Sequence, residues 1–82
     1  MRSLELGDLV ECSCILFRDD ESSRSQSEGP IKGTVIALDK SLFYDETNVD
    51  IFGLWTIVLC EDGNLYEFAN DEYRQGRVTL LV

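Results

Sequence analysis

The sequence predicts an all-β domain built from five short strands. Three observations carry that expectation. Residues 55–68 read as a β-hairpin: the aromatic and β-branched run WTIVLC enters a Glu61-Asp62-Gly63-Asn64 turn, and Leu65, Tyr66 and Phe68 lead away from it. Residues 6–17 alternate in the two-residue period of an extended chain. No segment sustains an apolar stripe at helical spacing.

The first strand is expected over residues 6–17, opened by Gly7-Asp8, with Val10, Cys12, Cys14 and Leu16 on one side and Glu11, Ser13, Ile15 and Phe17 on the other. Residues 18–30 change character, to acids, serines and a closing Gly29-Pro30 without an apolar anchor. They predict a mobile loop. Residues 31–38 resume the strand pattern, and Gly33 inside it marks a bulge, a bend or the close approach of another backbone. Residues 39–53 mix Leu42, Phe43, Tyr44, Ile51 and Phe52 with a polar run and predict a long connection.

With Asp62 and Gly63 as the two central turn residues, Leu59 faces Tyr66 and Ile57 faces Phe68. Trp55, Ile57, Leu59, Tyr66 and Phe68 then form the core side. Sliding by one residue would bury Glu67, so the apolar pattern selects this register. Residues 70–74 predict a turn or a single helical turn with Asn70 as cap, and residues 78–82 the last strand.

Composition bounds the function. The 82 residues suffice for one domain, here taken as 1–82, and its small core leaves partner binding or self-association as a source of further stability. Seven basic against sixteen acidic residues give a net charge of −9, which repels phosphate backbones and argues against direct nucleic-acid binding. The first ten residues hold neither a signal peptide nor a membrane span, so the expected location is cytoplasmic. Cys12, Cys14 and Cys60 are an odd number and are expected as buried free thiols, not as a disulfide framework.

Chemistry is sparse. Histidine is absent, which removes the commonest general base and metal ligand. The acid pairs sit in polar turns where nothing separates their pKa values, and Cys-Ser-Cys lacks the CxxC spacing of a zinc knuckle. The six glycines are dispersed and form no phosphate loop. No catalytic residue, cofactor or metal is therefore expected. Two segments remain as interaction candidates: the apolar set Leu42, Phe43, Tyr44, Ile51 and Phe52, and the acidic loop with Asp19, Asp20, Glu21 and Glu28.

Gly7-Asp8-Leu9-Val10, Gly33-Thr34-Val35-Ile36, the Ile57-to-Gly63 run, Tyr66-Glu67-Phe68 and Arg77-Val78-Thr79-Leu80-Leu81 together resemble an SH3-like small β-barrel, over nearly the whole chain. The chain is similar to small barrel proteins found in tailed-phage genomes. The resemblance implies a five-stranded SH3-like barrel with long first and second loops, and, for a phage-encoded protein, residence in the host cytoplasm. Peptide-binding members of that group use an aromatic groove and nucleic-acid-binding members a basic face. This chain departs from both, with scattered tyrosines and no basic patch, so neither site is carried over. The functional expectation is a non-enzymatic protein-interaction module. The alternative is an acidic mimic of nucleic acid that occupies the basic surface of a DNA- or RNA-binding protein.

Overall fold

The computed structural model describes residues 2–20, 23–40 and 55–81. Within them seven strands and one short helix follow in the order β1 (Leu9–Cys12), β2 (Ile15–Asp20), β3 (Ser23–Glu28), β4 (Ile31–Leu38), β5 (Trp55–Cys60), β6 (Leu65–Ala69), α1 (Asn70–Arg74) and β7 (Val78–Leu80). They form one sheet in the order β3-β2-β6-β5-β4-β1-β7, and every pairing is antiparallel. The all-β expectation holds, with seven strands where five were expected.

The extra strands arise in two places. The segment read as one strand over 6–17 is two, broken at Ser13-Cys14, where the Ser13 N–H donates to the Arg77 carbonyl (2.8 Å) and the Gly29 N–H to the Cys14 carbonyl (3.4 Å). Alternation survives the corner, because Val10, Cys12, Cys14 and Leu16 are all buried. The supposed mobile loop over 18–30 is largely a hairpin: β2 and β3 pair without interruption from Ile15↔Glu28 to Asp20↔Ser23. Ladder bonds are made by the backbone and need no apolar anchor on the outer strand. The inner strand supplies the anchor, since Leu16 is fully buried and Phe17 pairs with Glu67 of β6.

The β5–β6 hairpin also departs from its expected register. The observed pairs are Leu59↔Leu65, Val58↔Tyr66, Ile57↔Glu67 and Thr56↔Phe68. The cause lies in the turn. The Gly63 N–H donates to the Cys60 carbonyl (2.9 Å) and the Cys60 N–H to the Asn64 carbonyl (3.0 Å), so three residues, not two, form the loop. Gly63 takes a φ of +86°, the left-handed conformation that closes a type I turn with a bulge. One added loop residue turns β5 over relative to β6. Thr56, Val58, Cys60, Tyr66 and Phe68 therefore face the core, while Trp55, Ile57, Leu59, Leu65 and Glu67 share the other face. Glu67 is fully buried all the same, because β2 joins β6 there and brings Phe17 alongside.

The core consists of Val10, Cys12, Cys14, Leu16, Val35, Val58, Cys60, Tyr66, Phe68 and Val78, with Leu4, Leu38 and Tyr73 packed against it. Gly33 is a close-approach glycine: a Cβ there would lie 3.0 Å from the Cys60 Sγ and 3.1 Å from the Leu59 carbonyl oxygen. The β4 bulge falls between Val35 and Ala37 instead. In α1 the cap position belongs to Ala69, and no side chain caps the helix. Asn70, the expected cap, is used otherwise: its Oδ1 accepts from the Thr56 hydroxyl (2.6 Å) and its Nδ2 donates to Asp39 Oδ1 (2.9 Å).

Candidate interaction surface

Residues directly opposite in an antiparallel ladder share a face, so the observed registers can be read across strands. Leu65 of β6 lies opposite Leu59 of β5, Leu59 opposite Thr34 of β4, and Thr34 opposite Leu9 of β1. The row continues to Leu81, whose N–H donates to the Leu9 carbonyl (2.8 Å). Its leucines are not covered: Leu65 is 39%, Leu59 44% and Leu9 47% exposed. Four strands thus carry an outward apolar row broken only by the methyl-bearing Thr34.

Next to this row the same face closes over. Ile57 and Glu67 are buried, and Phe17 meets Trp55 edge-on with ring centroids 5.7 Å apart and planes at 78°. On the other side acids border the row. Glu61 stands exposed on the turn, Glu11 lies opposite Lys32 two residues beyond Leu9, and the exposed Asp62 turns its carboxylate to the Tyr66 side of the hairpin. Asp62 is held in place by its own hairpin. It accepts from the Tyr66 hydroxyl (2.6 Å), the Asn64 N–H (2.9 Å) and the Asn64 side-chain amide (3.2 Å). The Tyr66 hydroxyl and then the Asn64 N–H hold the Asp62 carboxyl below its ordinary range, and the same carboxylate raises the Tyr66 phenol.

Two clefts flank α1. The larger, of about 460 Å³, is lined by Arg2, Leu38, Asp39, Thr56, Asn70 and Tyr73 among others. Its polar groups are bonded in two sets: Thr56, Asn70 and Asp39 form one chain, and in the other the Tyr73 hydroxyl donates to the Arg2 carbonyl (2.5 Å) while Arg2 forks onto Asp8 (2.9 and 3.1 Å). This arrangement fastens the N-terminal segment to the helix. The smaller cleft brings Cys14 beside Glu72 and Arg77, which form a two-point ion pair (2.6 and 3.0 Å) that holds the Glu72 carboxyl below its usual range. All three thiols are free and buried. A hydrogen bond with Cys14, followed by burial, raises the Cys12 pKa, and burial pushes Cys60 up to about 12.

Of the residues singled out in the sequence, Asp19 and Asp20 lie on β2, opposite Arg24 and Ser23, and Glu28 lies on β3 opposite Ile15. Glu21 and the apolar set Leu42, Phe43, Tyr44, Ile51 and Phe52 fall outside the described residues. The row of Leu9, Leu59 and Leu65 escaped the sequence reading, because a two-residue turn sends Leu59 inward. Gly63 following Asp62 was the available signal, since it permits the three-residue alternative.

No family model, curated protein or solved structure matches the chain. Among the described residues no helix is long and apolar enough to cross a membrane.

Proposed function

We propose that this protein is a non-enzymatic interaction module which docks a protein partner on the outward face of β6, β5, β4 and β1. The observation that carries this reading is the exposed row of Leu65, Leu59 and Leu9, aligned across neighbouring strands by the ladder registers. Aligned apolar side chains offer a partner a continuous strip, whereas scattered ones do not. The border of the row holds Glu11 opposite Lys32 and the exposed Glu61, so on a chain of net charge −9 it favours a partner whose own apolar strip is edged by lysine or arginine.

The architecture proposed for the module is an SH3-like barrel. The order β7-β1-β4-β5-β6 supplies its five strands, β2 and β3 its elaborated first loop, and α1 the single turn before the last strand. The two-residue corner at Ser13-Cys14 supports this, since it joins strands that lie second from opposite ends of the sheet and so requires the sheet to curl.

The test is a charge placed in the row. Leu59→Glu with Leu65→Glu is expected to abolish capture of the partner from extract of the native cell, while Gln75→Glu, at an exposed position just after α1 and outside the row, leaves it intact. Because both leucines are already substantially exposed, the double variant should lose no more than about 1 kcal/mol of stability. Capture that survives the double variant would refute the docking face, and the partner's release should sharpen with salt.

A further inference from the structure

We propose that β3 is a self-pairing edge, through which two copies of this chain join antiparallel about a two-fold axis at Gln26. The sheet ends in two unequal strands. β7 has three residues, a length that itself discourages further pairing, whereas β3 has six and its ladder with β2 contains no bulge. No proline or glycine interrupts Ser23–Glu28. Among the described residues β3 bonds to β2 alone, which leaves one row of its backbone groups facing outward.

The sequence of the strand selects a second copy as the occupant. A two-fold axis perpendicular to the sheet keeps each face continuous, so positions of equal parity must pair. With the axis at Gln26, Arg24 falls opposite the partner's Glu28, Ser25 opposite the partner's Ser27, and Gln26 opposite the partner's Gln26. Symmetry repeats the arginine–glutamate pair on the other side. An axis at Ser25 sets Arg24 against glutamine, and an axis at Ser27 sets Arg24 against Pro30, which has no N–H to share. Only the Gln26 register matches both charges. Within its own hairpin Arg24 already lies opposite Asp19, so the assembled sheet carries acid, base and acid in line across three strands. Each copy's charge of −9 opposes association at long range, but screening confines that repulsion to about 8 Å at physiological salt, whereas paired strands bring opposite positions to neighbouring-strand spacing. Pairing through the edge leaves the leucine row open, so this inference stands apart from the docking face.

Sedimentation velocity of the full chain at physiological salt tests it. The expected result is a concentration-dependent monomer–dimer equilibrium. Arg24→Glu alone and Glu28→Arg alone should each weaken dimerisation on the order of tenfold, because each sets like charges opposite one another twice. An equimolar mixture of the two variants should regain the dimer, since every cross-strand pair is again arginine against glutamate. That rescue also shows that both variants are folded. A chain that stays monomeric at all concentrations, a dimer indifferent to either swap, or a mixture that fails to regain it would each overturn the proposal.

Discussion

The carboxylate of Asp62 does the local work of the β5–β6 turn, gathering the Tyr66 hydroxyl and the Asn64 N–H onto one side chain. Those bonds exist only in the folded chain and lower the folded pKa, so the unfolded chain takes up the proton first as pH falls. The stabilisation is complete above the unfolded pKa of about 3.9 and is lost as pH drops from there through the folded value. Asp62→Asn should accordingly be less stable than the wild type at neutral pH, with the gap closing in acid. The effect will be small, because the carboxylate is exposed to solvent. Urea unfolding of both proteins across the acid range measures it, and a gap that stays constant would contradict the assignment.

Among the elements, the hairpins divide what sequence could convey from what it could not. Residues 31–38 were legible at both ends, because their neighbours are punctuated by Pro30 and Asp39 and their apolar positions are dense. The strand β3 was illegible. Its pairing rests on backbone bonds and on the seating of β2, neither of which leaves a mark in SRSQSE itself. For β5 and β6 the existence of the hairpin was plain, yet its register hung on one residue of loop length, and the burial rule that should have decided it misled. Glu67 is buried because a third strand covers it, a tertiary circumstance outside the reach of any two-strand argument. The proposed docking row changed with that register. The turn should show its dependence on Gly63 directly. A Cβ at that position meets nothing within 4 Å, so Gly63→Ala is penalised only through the left-handed φ of +86°. The expected loss is about 1 kcal/mol, with Gly63→Asn losing less, read as the shift of the urea midpoint.

For the molecule as a whole, the three thiols report on the integrity of the fold. Cys12, Cys14 and Cys60 come from β1, the corner after it and β5, and all lie in the one core cluster. Alkylation requires both access and a thiolate. Burial denies the first, and the raised pKa values of Cys12 and Cys60 deny the second. Iodoacetamide at mildly alkaline pH should therefore leave the native protein unmodified over minutes and label all three cysteines in denaturant, as counted by intact mass. Rapid labelling of Cys12 in the native protein would show that the core opens locally.

The two-residue corner at Ser13-Cys14 has a kinetic counterpart. It sends the chain away from β1 so abruptly that β1 finds its partners only much later, at Ile31–Leu38 on one flank and Val78–Leu80 on the other. Such pairings raise the contact order and charge loop-closure entropy before they return any stabilisation. During synthesis the β5–β6 hairpin can form as soon as it emerges, but the strand that holds Val10 and Cys12 stays unflanked on one side until residue 80 has been made. Completion of the sheet thus waits for β7, and a nascent polypeptide halted before it would leave the strand of Val10 and Cys12, both wholly hidden in the finished protein, open on one flank to chaperones.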